Sequence, residues 1–545
     1  MITSFFKKNK NNLLAFLLIT FLVFIFFYPT LHLGFFSDDY HFLYVTATQD
    51  SVLKYLFLNI IGESGGGSYG PMLNFIFTAE YNLFHLHAFF YHMTVLLVYA
   101  LTAFVLFLFT RNISKNNLVA WGSAIFFIFL QNHTSTVSWV AVQPHLWATF
   151  FFVLFLYFYQ RFIVEKNNWY YIFSLLFIIF SLFTKESAIT FPAIFILLEL
   201  FFGENKSIAS TLWRIVRRGI AFALALLSYL VIRFVVLGYV FGYYGSEHLS
   251  SQVLPKLKMF VELVLSMFLA SPLRQHFRDI LFFHPYFLTL IFLLVLAVTW
   301  FVSRKNKTKI LWFSLLSFCL ATVPFLNVRF ENSSDEGERY GFLVSVFFVI
   351  FLAQFLYSIF GNLKYKKYFY FGLITLFVIF SFFIHFEKGK LWQKSADLRD
   401  SMLTQFANNL DKSKNNYFIF LSFPDNFSGT QLTRNAVLEM FKLENNFFSM
   451  SGERVTMYSL LNEKNYQEKI VNFSRDLDTV RLQPVRENIG KVLSGTGQYH
   501  SEYFDAIFDS KNIEVSLKRV QIDKSPYDMT LVYFDGQRLN FVPLN

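Results

Sequence analysis

Cysteine is nearly absent from this chain. Its 545 residues include one, Cys319, inside an apolar run, so neither a disulfide framework nor a cysteine-based metal site is available in any compartment. Charge is scarce too: Asp, Glu, Lys and Arg make up 15% of the residues, against roughly a quarter in soluble domains. Histidines at metal-binding spacing are missing. His133 and His145 flank one loop without an H-x-x-x-H pattern, and His85, His87 and His92 include no i, i+4 pair and read as interfacial histidines on an amphipathic helix. No segment recurs with the period of roughly 20 to 50 residues that marks repeat architectures.

What is present is apolar. With 55% hydrophobic residues, 77 Phe and a mean hydropathy of +0.44, the chain cannot close into a water-soluble globule of this size. It reads as a polytopic α-helical membrane protein. The net charge of +11 does not point to nucleic acid, because the Lys and Arg gather in short loops between apolar runs, as the positive-inside rule describes.

The N-terminal MITSFFKKNKNN precedes an apolar run from about 13 to 36 that is too long and aromatic for a signal peptide and lacks a small-residue cleavage site. It reads as a membrane anchor with a cytoplasmic N-terminus. Further runs at about 88–110, 117–131, 145–163, 169–184, 187–203, 219–241, 284–303, 309–327, 340–360 and 367–386 bring the expectation to about eleven transmembrane helices. The connections at 111–117, 161–169, 203–219, 303–309 and 362–368 are net basic and assigned to the cytoplasm; those at 131–145, 184–187, 242–252 and 329–339 are assigned outside. Residues 37–87 form a first outer loop, with the flexible GESGGGSYGP at 62–71 and short helices on the membrane surface.

The stretch 256–279 is apolar but carries Lys256, Lys258 and Glu262, and reads as an amphipathic or re-entrant element on the outer side. The transmembrane domain therefore covers 1–386. Beyond it the composition turns polar, with strand-like stretches at 416–423, 513–522 and 529–544 and a helix-like LTRNAVLEMFKL, so 387–545 reads as an outer-face soluble α/β domain of roughly 150 residues.

The candidate chemistry starts at FFSDDYHFL, residues 35–43, where Asp38 and Asp39 adjoin the first apolar run. One reading is structural: Ser37 caps a short helix and two aspartates favour its dipole. The other is catalytic, because a partly desolvated carboxylate at a membrane surface suits a general base for a hydroxyl nucleophile. Adjacent side chains diverge by about 100° on a helix, so the two have different jobs. In TKES, residues 184–187, Lys185 and Glu186 are either a snorkelling pair or a cation aimed at a lipid phosphate. Arg339 and Tyr340, in GERY, either anchor a span at the interface or clamp a phosphate. Arg233, within the outer half of its span, costs several kcal/mol unless paired or facing a wet cavity, at about the scale known for intramembrane arginine.

These residues add up to a resemblance. NHTSTVSWVAVQPHLWA (132–148), FTKESAITFPAIFILLEL (183–200) and GERYGFLVSVFF (337–348), with the outer acidic pair and, less strongly, LSFPDNFSGTQLTRNAV (421–437), resemble the class C (GT-C) glycosyltransferases, the group of the protein O-mannosyltransferases and aminoarabinose transferases. The resemblance implies transfer of a sugar from a polyprenyl-phosphate donor to an acceptor hydroxyl of a glycan, lipid or protein, with inversion, on the outer face of a bacterial inner membrane. It implies Asp38 as the base and Asp39 as an acceptor-orienting group or ligand of an optional divalent metal ion. Lys185 and Arg339 would neutralise the leaving phosphate, with Glu186, Tyr340 and Arg233 in the same donor-binding group. The chain departs from the family at 133–145, where relatives carry acidic residues near the positions of Thr136 and His145. The alternative is a lipid-linked sugar flippase, a polymerase or a transporter of envelope glycans; the last should carry ionisable midplane residues in two related halves, whereas the charges here gather at one outer boundary.

Overall fold

The computed structural model describes residues 2–49, 69–204, 207–240, 253–283, 285–306, 308–327, 336–359, 364–434, 436–455, 460–461, 468–485, 496–509 and 511–544. Two compact units result: a membrane unit of Met1–His32, Gln49–Asn332 and Gly337–Glu387, and a second unit of Leu33–Thr48, Ser333–Glu336 and Lys388–Asn545.

In the membrane unit every apolar run of the sequence contains a helix. Among the described residues six are long and apolar enough to cross a membrane, within Lys10–His32, Ala88–Ser114, Val140–Glu165, Ile208–Leu237, Gly337–Ile359 and Lys366–Asn409, and the chain is a multi-pass membrane protein. Asn117–Phe129, Asn168–Thr184 and Ile310–Phe325 are shorter apolar helices, and Phe191–Phe202 has 12 residues. The apolar window of Val140–Glu165 is 78% buried and that of Ile208–Leu237 only 17%, which puts the first at the centre of the bundle and turns Leu212, Val216, Leu224, Leu227 and Val231 of the second outward.

Two turns show how local sequence sets this packing. Of the four KNN triplets in the sequence, those at 115–117 and 166–168 each fall between two apolar runs. Each time the lysine takes a left-handed conformation as the helix C-cap (φ 54° and 56°), and the first asparagine accepts the amide of Leu118 or Trp169 as the next N-cap. The chain thus reverses within two residues and lays consecutive helices antiparallel.

Several boundaries differ from the sequence reading. The first helix runs Ile2–Phe27 and ends in a 3-10 turn, Tyr28–His32, because Pro29 cannot donate to an α-helical ladder. Residues 33–36 leave the apolar run and join the second unit. The 256–279 stretch forms two helices, Val253–Ser266 and Ser271–Phe283, of 14 and 13 residues. His92 is not interfacial but fully buried within Ala88–Ser114. The 37–87 loop is not one surface element: Asp38–Thr48 belongs to the second unit, whereas Pro71–Phe84 turns Leu73, Ile76, Phe77 and Glu80 into the membrane unit. Most of GESGGGSYGP, and the 242–252 connection, lie outside the described residues.

The second unit is built on a four-stranded sheet in the order Leu539–Pro543, Asp528–Phe534, Asn416–Ser422, Ser451–Arg454. Asn416–Ser422 pairs in parallel on both sides, with Ile419 opposite Leu531 and Glu453, and is buried along its whole length. That explains its unbroken YFIFL, since a central parallel strand has no solvent face. The 529–544 stretch is a hairpin of two strands, turned at Gly536 in a positive-φ conformation (φ +107°) where a Cβ would meet the Glu468 carbonyl. Phe406 stacks on Phe441 of the Val437–Glu444 helix at 3.9 Å. A five-stranded antiparallel sheet, Val471–Asp476, Thr479–Pro484, Ile513–Leu517, Phe504–Phe508 and Gly497–His500, completes the unit with a three-stranded sheet of very short strands.

Candidate functional site

The membrane unit brings five of the expected residues together. Asn168–Thr184 ends at Lys185, which is extended (φ −156°) and breaks the helix before a 3-10 turn, Glu186–Thr190. The Lys185 side chain is buried, with Nζ 3.4 Å from Glu186 Oε1. Burial lowers its pKa from the ordinary lysine value; Glu186 opposes that shift, and Arg339 and Arg233 add to it. Lys185, Arg233, Arg339 and Glu186 therefore lie in electrostatic reach of one another.

Arg339 comes from another 3-10 turn, Glu336–Tyr340, just before Gly341–Ile359. Its guanidinium lies 5.5 Å from the Trp139 ring centroid and 5.2 Å from that of Tyr340, and Tyr340 meets His145 edge-on at 5.8 Å. Arg233 is 2% exposed and donates from Nε to the Val240 carbonyl at 3.0 Å. Cations set against an aromatic wall in this way favour an anion.

The sequence reading missed what holds these turns. Arg274, fully buried, donates to Glu262 Oε1 at 2.8 Å and to Glu338 Oε1 at 3.0 Å, and Arg278 reaches Glu262 Oε2 at 3.3 Å. Glu338 is the residue before Arg339, so Arg274 fixes the turn that aims Arg339. The signal was there in sequence, as an arginine and a glutamate 12 apart on an amphipathic stretch, but their partner lies 64 residues further on. Gly70 packs against Thr184, where a Cβ would come within 2.6 Å of its carbonyl oxygen. Glu80, buried, accepts from Gln143 Nε2 at 2.9 Å, and its other oxygen has no partner among the described residues; burial, opposed by Gln143, pushes its pKa up to about 8.

His133 is a structural residue: its ring nitrogens meet Tyr99 Oη at 2.8 Å and Ser345 Oγ at 2.9 Å. Glu199, an intramembrane carboxylate that the sequence reading passed over, binds Arg214 at 2.5 Å, Arg218 at 2.8 Å and the Tyr159 hydroxyl. Its charge is fully committed.

Asp38 and Asp39 lie in the second unit, at the start of Asp38–Thr48. The Phe36 amide donates to Asp39 Oδ2 at 2.8 Å, and Asp39 is fully buried, a capping arrangement that Ser37 (φ 45°) and Gly34 (φ +75°) shape. Arg399 ties the segment down by donating to the Leu33 and Phe35 carbonyls, each at 2.7 Å, and lies over the Phe36 ring at 4.8 Å. A Cβ on Gly34 would collide with that guanidinium. The Ser37 amide donates to the Leu432 carbonyl at 3.0 Å. Asp38 is different. Its carboxylate is half-buried, takes the Ser37 hydroxyl at 3.3 Å, and lies in electrostatic reach of Arg454, a guanidinium whose pKa burial lowers. The capping and catalytic readings thus divide between the two aspartates. A divalent metal at Asp39 finds no fitting donor set: the carboxylate is enclosed, and among the described residues no group of three His, Cys, Asp or Glu is placed to hold a metal ion.

These features define a multi-pass membrane protein with a buried cationic, aromatic-walled site at its helix ends and a C-terminal α/β unit. No family model and no curated protein matches the chain. Among solved structures it is similar to ArnT from Cupriavidus metallidurans bound to undecaprenyl phosphate, with 10% identity over 81% of this chain and 85% of that one and a TM-score of 0.45. It is also similar to the Archaeoglobus fulgidus oligosaccharyltransferase tethered with an acceptor peptide, with 12% identity over 82% of this chain and 64% of that one and a TM-score of 0.41.

Proposed function

We propose that the protein is a membrane glycosyltransferase that moves a sugar from a polyprenyl-phosphate donor to an acceptor hydroxyl on the outer face of a bacterial inner membrane. One observation carries this reading: Lys185, Arg233 and Arg339, cations from three separate segments, converge beside Glu186, the first two buried and the third partly buried. Several cations gathered at one place make it electropositive, and a phosphate is an anion suited to it.

In this reading the acceptor oxygen attacks the anomeric carbon and the bond to the donor phosphate oxygen breaks. The electron pair leaves with the phosphate, whose growing charge Lys185 and Arg339 stabilise. Asp38 takes the hydroxyl proton, an assignment supported by the resemblance, and it is half-buried where Asp39 is fully buried. Asp39 then acts as a positioning residue through Phe36. Attack in line inverts the anomeric configuration.

The test uses membranes holding the native protein, Asp38→Asn, Lys185→Met or Arg339→Lys, each given radiolabelled polyprenyl-phosphate sugars. Transfer should fall in all three variants, with the donor KM rising for the Lys185 and Arg339 changes. Full transfer by folded Lys185→Met and Arg339→Lys proteins would remove the phosphate assignment, and a product of retained configuration would remove the single displacement.

A further inference from the structure

A second site lies at the other end of the membrane unit. Gly341–Ile359 begins beside Arg339 and Tyr340, and its last residues, Gln354, Tyr357 and Ser358, line a cavity of about 530 Å³. Nineteen helical residues separate the two ends, roughly 28 Å at ~1.5 Å per residue. Three of the basic connections meet at this cavity: Ser114 and Asn116 from the first, Thr308 and Lys309 from the second, Lys366 from the third.

The positive-inside rule accounts for basic loops on one side of a membrane, but not for their closing around a common cavity. The lining chemistry is specific. Lys309 and Lys366 supply two positive charges, and among the described residues no Asp or Glu lines the cavity. Helix N-termini at Asn117, Ile310 and Lys366 are matched by C-termini at Ser114, Phe202 and Ile359, so the helix dipoles largely offset and the lysines set the sign. Hydroxyls of Thr308 and Tyr357 add donors, and Lys366 Nζ lies 5.3 Å from the Tyr357 ring centroid. Phe202 and Ile310 give one wall an apolar surface. Two ammonium groups with hydroxyl donors, beside an apolar wall at a membrane boundary, fit an oxyanion with several acceptor oxygens.

The geometry points to a binding site for a phosphate-bearing anion in this cavity, at the end of the bundle opposite Lys185 and Arg339. The phosphate is that of an anionic lipid headgroup or of a soluble phosphate, and the two sources are separable. Native mass spectrometry of the purified full chain would be run with dioleoylphosphatidylglycerol, dioleoylphosphatidylcholine and inorganic phosphate. The native protein should retain one phosphatidylglycerol more tightly than phosphatidylcholine. Lys309→Gln with Lys366→Gln should weaken that binding on the order of tenfold or more, while Lys367→Gln, an exposed lysine outside the lining, should leave it unchanged.

Displacement of the lipid by inorganic phosphate would assign the site to phosphate itself; resistance to it would assign the whole headgroup. Lys309→Glu, on an exposed side chain, gives the same readout if the double variant does not purify. Equal retention of the two lipids with no phosphate binding, or native affinity in the lysine variants, would overturn the assignment.

Discussion

Replacing Arg274 by Met tests whether a buried ion network holds the Arg339 turn in place. The side chains of Arg274 and Glu338 are fully enclosed and that of Glu262 is 4% exposed. Removing one partner of such a group strands the others, at a cost of about 3–5 kcal/mol. Glu262 keeps Arg278 at 3.3 Å, so the lower end of that range is expected. Without Arg274 the buried Glu338 carboxylate loses a charge partner, and burial then favours its protonated form. Its cost is therefore small below the unfolded pKa and grows as pH rises toward the folded one. Chemical unfolding of the purified protein in detergent micelles should show a larger deficit for Arg274→Met at pH 8 than at pH 5. Adding Glu338→Gln to that variant should recover part of the loss, because a neutral amide no longer needs a counter-charge. If Arg274→Met lies within about 1 kcal/mol of native at pH 8, the scale of ordinary surface changes, or if Glu338→Gln brings no recovery, the network does not hold the turn.

Arg339→Lys keeps the charge but loses the planar donor fork and its place between Trp139 and Tyr340, so donor affinity in a transfer assay should drop roughly 10- to 100-fold, the value of one charge-assisted hydrogen bond. Asp38→Asn should abolish transfer while leaving thermal unfolding unchanged, whereas Asp39→Ala should cost about 1 kcal/mol of stability through the lost cap; equal effects of the two changes on stability would contradict the division of labour. Glu80, with its pKa raised by burial to about 8, contributes stability that is full below its ordinary value and lost as pH rises through about 8. Glu80→Gln should flatten the stability profile between those limits, as measured by unfolding across pH, and an unchanged profile would show that Glu80 is already charged.

The helical plan was legible because a run of Phe, Leu and Ile long enough to cross a bilayer has few other ways to satisfy its backbone. The same holds for YFIFL as a buried strand, whereas KNN makes a turn only where it separates two apolar runs, since at 10–12 it lies inside the first helix. Lys185, Arg233 and Arg339 were also legible, since a charge in an apolar chain is conspicuous by its cost. What sequence left undecided was what each charge meets. Arg274 finds Glu338 across 64 residues, and Leu33–Thr48 leaves the first apolar run to be held by Arg399 and the Leu432 carbonyl. Asp38 and Asp39 are indistinguishable as letters, yet the fold buries one fully, with the Phe36 amide donating to it, and the other only by half. Composition and spacing determined which residues are expensive to bury; only the tertiary structure decided which were buried, because that depends on partners far away along the chain.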